Sequence, residues 1–156
     1  MEKQDYDGSK NLLHRMIGSS AHAKKERADE DFYATDPEAG FMLYTQLEEL
    51  EDTIVDNSVG AGHLVRDFPE AGFRVIGFDI VDREKIVRLS EFYNRDFLQE
   101  RPQGMNNTLL GLDKFSIVMN PPYSKALEFV QKSLELQKEG GKVCAFLKIQ
   151  FLEGAK

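Results

Sequence analysis

The sequence has a single cysteine, no tryptophan and no apolar run approaching the roughly 18 residues a membrane span requires. The lone cysteine, Cys144, has no second thiol in the chain with which to form a disulfide, and its apolar neighbours mark it as a buried packing residue without chemistry. The N-terminus, Met1-Glu2-Lys3-Gln4-Asp5, lacks the apolar stretch of a signal peptide. A cytoplasmic location and no membrane contact are therefore expected. His14, His22 and His63 share no ligand-type spacing with Cys144, so no metal site is expected. Net positive charge is missing as well. The chain carries 27 acids against 20 bases, a formal −7, which argues against holding nucleic acid by bulk attraction, because phosphate contacts need Lys and Arg.

What is present fits a soluble globular protein. With 156 residues, 41% apolar and 30% charged, the chain can bury one core, and a single domain is the starting expectation. Residues 1–30 are polar without sustained periodicity and read as an arm; residues 31–156 read as the core. Between Lys10 and Arg27 five bases face one acid, a local +4 that leaves −11 for the remainder. A solvated tail and a nucleic-acid-contacting arm explain that segregation equally well.

Along the core, strands alternate with helices. Asp36-Pro37 reads as an N-cap followed by proline at the first helical position, and Leu43, Leu47 and Leu50 continue a helix from 37 to about 50. Thr53-Ile54-Val55 forms a first strand, and Leu64, Val65 and Phe68 start a helical stripe after a glycine-rich turn. A second strand covers Phe73 to Phe78 and ends on Asp79-Ile80, with a short helix over 84–89. A third runs from Glu91 to Asp96-Phe97. Phe115 to Met119 is a buried-type fourth strand ending at Asn120. Ser124 caps a helix carrying Ala126, Phe129, Val130 and Leu134 on one side, Gly140-Gly141 stops it, and Val143 to Leu147 is the fifth strand. This alternation predicts an α/β fold, an open and mostly parallel Rossmann-like sheet with helices on both faces. Ligands bind beyond the carboxyl ends of such strands, where Asp56 to Gly62, Asp79, Asp96 and Asn120 are expected to converge on one crevice.

The turn Gly60-Ala61-Gly62 lacks the third small position of a dinucleotide fingerprint, since Val65 stands there. Asp79 lies 19 residues after Gly60, the separation at which an acid accepts bonds from ribose hydroxyls. A nucleoside ligand without pyrophosphate satisfies both, and S-adenosylmethionine is one. A plain tight turn and a capping aspartate are the alternative reading.

Asn120-Pro121-Pro122-Tyr123 carries the acceptor chemistry. An amino group conjugated to an aromatic ring or a carbonyl is a poor nucleophile because its lone pair is delocalised. If the Asn120 side-chain oxygen and the Pro121 carbonyl each accept one of its N–H bonds, the nitrogen rehybridises and its developing charge is stabilised in place. The prolines fix the loop, and Tyr123 offers a face on which a planar, flipped-out target can stack. No metal and no strong base is needed.

These motifs, in this order over residues 30 to 152, resemble the amino-methyltransferases that carry an Asn-Pro-Pro-Tyr catalytic motif, and most closely the phage-type DNA adenine-N6 methyltransferases. The resemblance implies S-adenosylmethionine as cofactor and DNA as substrate. Asp31 to Pro37 resembles the segment preceding the first strand in that family, which implies that Tyr33 and Thr35 contact the methionine part. Asp56, Asn57, Gly60 and Gly62 fall at the glycine-rich motif, Asp79 and Ile80 at the ribose-binding acid, and Asp96-Phe97 at the pair that holds the adenine; Asn120 to Tyr123 match the catalytic loop. Asn57-Ser58-Val59 departs from the proline and small residue often found there. The family's sheet usually ends in a further two-stranded hairpin, so the C-terminal strands are expected to be missing or minimal. The same loop chemistry would serve a protein glutamine amide or an amino group in RNA, and a non-catalytic binding module is a third reading.

Overall fold

The computed structural model describes residues 35–47, 49–100, 112, 114–137 and 141–153. The arm over 1–30 and Tyr33 lie outside them, as does Gly140. The first helix, α1, spans Pro37–Gln46, with Asp36 at its N-cap accepting the Glu38 N–H at 3.0 Å. Five strands follow: β1 (Thr53–Asp56), β2 (Arg74–Asp79), β3 (Glu91–Asn94), β4 (Ser116–Met119) and β5 (Val143–Ala145). A 3-10 turn over Phe97–Gln99 follows β3, and another over Tyr123–Lys125 leads into helix α2 (Ala126–Leu136). A four-residue helix, α3 (Gln150–Glu153), closes the described chain. Among the described residues no helix is long and apolar enough to cross a membrane.

All strands are parallel, in the order β3-β2-β1-β4-β5. The fold is therefore α/β with an open, all-parallel, Rossmann-like sheet. Alternate side chains enter two cores. Val55, Ile76, Phe78, Ile117 and Met119 face one side, where Phe97 and Phe129 cover them. Ile54, Val75 and Val118 face the other, beneath Leu43 and Tyr44 of α1 and Leu64, Val65 and Phe68. Burial on both faces explains why β1, β2 and β4 read as continuous apolar runs. The edge strands β3 and β5 are only partly covered.

Several elements differ from expectation. Helix α1 stops at Gln46 because Leu47 turns extended, although Leu50 still packs on the core. Residues 61–72 form turns instead of a helix: Pro69 has no N–H to give Val65, whose carbonyl accepts from Phe68 at 3.2 Å. No helix forms over 84–89, since Ile86 donates its N–H to Ala61 and Ser90 donates to Val75. The third strand stops at Asn94, and Asp96 caps the following 3-10 turn through Leu98 N–H at 2.9 Å. The fifth strand is three residues long, leaving Phe146 and Leu147 beyond it. Ser124 sits inside a 3-10 turn, and Lys125 occupies the α2 N-cap without a side-chain cap bond. On α2 the buried side comprises Ala126, Phe129 and Ser133, while Leu134 is 60% exposed. The stripe at i, i+3 and i+7 leaves Leu134 a further 100° around the helix. Cys144 is half-buried, and the burial it has pushes its thiol up.

Candidate functional site

Strand register builds the site. The chain steps outward from β1 through β2 to β3 and then returns to the other side of β1 for β4 and β5, so the switch point lies between β1 and β4, where ligands of open parallel sheets bind. Asp56, the last residue of β1, pairs with Gly77 on one side and Val118 on the other. Asp79 and Asn120 therefore each stand two residues beyond it on the flanking strands. Asp79 pairs in turn with Asn94, which sets Asp96 two residues beyond that. Four strand ends thus lie along one edge, stepping outward from Asp56.

Asp79 organises the glycine-turn side of this edge. Its Oδ2 accepts the Gly60 N–H at 2.8 Å, its Oδ1 accepts the Val81 N–H at 2.9 Å, and the Arg83 Nη1 lies 3.5 Å from Oδ1. The Gly60 turn is closed further by Gly62 N–H donating to Val59 at 2.7 Å and Val59 N–H donating to Phe78 at 2.9 Å. Gly60 and Gly62 have φ of 54° and 97°, a region costly for residues with a Cβ, and a Cβ on Gly62 would run into Val87. The missing Cβ of Gly62 thus makes room for the Val87 side chain. Ile80, next to Asp79, is 68% exposed and offers an apolar surface at the same rim.

Asp56 is 1% exposed and accepts the Ser58 N–H at 3.1 Å. Burial pushes its carboxyl from 3.8 to about 7, opposed by the Ser58 bond and reinforced by the negative charge of Asp79.

Two expected ligand contacts point elsewhere. The Asn57 side chain is buried and donates from Nδ2 to Ser133 Oγ on α2 at 2.9 Å, so it ties the turn to the helix below. Phe97 is 1% exposed, with Phe78 edge-on and Phe129 stacked against its ring, and is a core residue. Asp96 is held by its cap bond.

On the other side of the switch point, β4 ends with Met119 O accepting the Phe146 N–H at 2.8 Å, which fixes the base of the Asn120–Tyr123 loop. Pro121 is buried, and Pro122 O accepts the Lys125 N–H at 3.0 Å. Asn120 donates from Nδ2 to Thr35 Oγ1 at 2.9 Å. The expectation put Thr35 against the methionine part of a cofactor; its hydroxyl meets Asn120. Lys148 lies over the Tyr123 ring, with Nζ 4.3 Å from the centroid. Neither pairing left a sequence signal, because the partners are far apart and belong to no shared motif. No family model matches the chain, and no curated protein matches it.

Proposed function

We propose that the chain is the core of an S-adenosylmethionine-dependent methyltransferase acting on an exocyclic amino group, with the N6 of adenine in DNA as acceptor and the cytoplasm as its compartment. The observation that carries the reading is the juxtaposition, across the switch point, of a carboxylate-held glycine turn and the Asn120-Pro121-Pro122-Tyr123 loop. The residues present suit the cofactor: carboxylate oxygens at Asp79 for ribose hydroxyls, exposed Ile80 for a purine face and a tight glycine turn held beside them. The choice of adenine in DNA rests on the motif resemblance.

The bound cofactor supplies an electrophilic methyl group on a sulfonium. The chain's own part is to hold the acceptor nitrogen. Asn120 Oδ1 and the Pro121 carbonyl accept its two N–H bonds, so its lone pair leaves conjugation and points at the methyl carbon. With the cofactor bound, the held nitrogen would take its methyl group, the sulfonium's bonding pair would stay on sulfur, and the nitrogen would give up one proton to solvent. Tyr123 stacks on the target ring. A strong base is unnecessary because the nitrogen becomes acidic only once methylated.

Transfer of label from S-adenosylmethionine to adenine in duplex DNA, measured for wild type and Asn120→Ala, tests the proposal. Loss of transfer in the variant is expected; undiminished transfer would sink the mechanism. Ribosomal RNA and protein acceptors run in parallel assign the acceptor.

A further inference from the structure

We infer that Lys148 binds a phosphate of the acceptor: it yields its place on the Tyr123 ring to a stacking base and takes the phosphate of that nucleotide. Lys148 thereby assigns the acceptor to polynucleotides and not to protein amides, which rests on the methyl-transfer reading above. A partly buried ammonium ordinarily faces a carboxylate, because its lost hydration has to be replaced. Among the described residues the other partly buried bases, Arg83, Lys85, Lys132 and Lys142, each lie 2.6–3.6 Å from a carboxylate oxygen. Lys148 is partly buried too, but its ammonium meets a ring, with Nζ 4.3 Å from the Tyr123 centroid. An aromatic face attracts a cation while giving its N–H groups no oxygen to bond. The ammonium is therefore held weakly and is open to a stronger anion.

Charge along the edge favours a phosphate on this side. Residues 119–127 and 143–152, which carry Tyr123 and Lys148, contain two lysines, Lys125 and Lys148, and no acid. Across the switch point stand Asp56, Asp79 and Asp96, which would repel a phosphate and suit a sulfonium. With a formal charge of −7 the chain cannot hold a polynucleotide by bulk attraction, so a locally placed cation has to do it. Lys148 can change partner through its side chain alone. Phe146 N–H is bonded to Met119 O at 2.8 Å, and Lys148 O accepts the Phe151 N–H at 2.9 Å, so the backbone on both sides is tied down. The stem is long and flexible. The ring face that a base needs is the one Lys148 covers, which makes stacking and release of the lysine a single event.

Full-length wild type, Lys148→Gln and Lys148→Arg are titrated over a salt series with oligodeoxyadenylate, single-stranded so that neither a recognition sequence nor base flipping is required. The same oligomer with uncharged methylphosphonate linkages is the comparison. Lys148→Gln should make the slope of log affinity against log salt about 0.7 shallower and weaken binding about tenfold at low salt, the loss of one phosphate contact. Lys148→Arg should keep the wild-type slope, and the uncharged oligomer should bind wild type and Lys148→Gln alike. The Lys148 Hε resonances, shifted upfield by the Tyr123 ring in the free protein, should return to ordinary positions when the charged oligomer binds. An unchanged slope in Lys148→Gln overturns the inference, as does an equal loss with both oligomers, which is what a merely structural role produces. Lys148 remaining on the ring in the complex overturns it too, and so does a wild type that binds no oligomer, which favours a protein amide. If glutamine unfolds the chain, Lys148→Met carries the same comparison. Methyl transfer is scored separately. If no acceptor is methylated but the charge-dependent loss appears, the methyl-transfer reading fails and the phosphate contact stands; transfer without that loss sinks the contact alone.

Discussion

Asp79 holds Gly60: the carboxylate at the end of β2 accepts the backbone N–H of the glycine turn that follows β1, at 2.8 Å. The same side chain is the one proposed to meet ribose hydroxyls, so on that reading it would shape the turn and meet the ligand together. Asp79→Ala should cost about 1–3 kcal/mol in chemical denaturation, the penalty for orphaning a bonded donor. Cofactor affinity should fall by at least about tenfold, one lost charge-assisted bond. Unchanged affinity in calorimetry would remove Asp79 from the binding site.

Asp56 makes stability depend on pH in an unusual direction. Its carboxyl is raised from 3.8 to about 7 in the folded chain, so between those values the folded state keeps a proton that the unfolded state has released. Stability from this group is therefore full below about pH 4 and declines as pH rises towards 7. Asp56→Asn should flatten that decline in denaturation midpoints measured across the window. Asp79→Asn should weaken it, since the Asp79 charge helps raise Asp56.

Gly62 and Gly72 share a positive φ, 97° and 96°, but differ in surroundings. A Cβ at Gly62 meets Val87, whereas at Gly72 it meets nothing within 4 Å. Gly72→Ala should cost about 1 kcal/mol from backbone strain alone, and Gly62→Ala a further 1–3 kcal/mol or so from overpacking. Equal melting temperatures for the two variants would contradict this.

Ser133 and Leu134 should reverse the usual ranking of polar and apolar positions. Ser133 is fully buried, receives Asn57 Nδ2 and donates to Phe129 O at 2.7 Å. Ser133→Ala should cost about 1–3 kcal/mol by stranding the Asn57 amide. Leu134→Ala, at an exposed position, should stay within about 0.5 kcal/mol of wild type.

The Leu134 case shows where sequence reading stopped. Apolar character put Leu134 inside and gave Ser133 no place, yet spacing from Ala126 and Phe129 selects Ser133. The strands were legible because doubly buried parallel strands spell out continuous apolar runs, as in Ser116–Met119. The polar residues that end them, Asp56, Asp79 and Asn120, were legible for the same reason: a carboxyl-edge crevice collects them. The segment after Gly62 was not, because Leu64, Val65 and Phe68 have helical spacing whether or not Pro69 allows the helix. Contacts such as Thr35 to Asn120 depend on how α1 is seated, which no local pattern encodes.

The strand order also bears on how the site is made during folding. β1 pairs with β2 across 21 residues (Ile54 to Val75) and β2 with β3 across 15 (Ile76 to Glu91), but β1 pairs with β4 through Ile54 and Ser116, some sixty residues apart. Closing the longer loop costs more chain entropy, by about 1 kcal/mol for a threefold increase in length. The half bearing Asp56, Gly60 and Asp79 can therefore close on local terms, whereas Asn120 arrives only with the costlier pairing. Conditions that loosen the sheet should first part Asn120 from Asp56 and Asp79, while the half built on β1, β2 and β3 still stands.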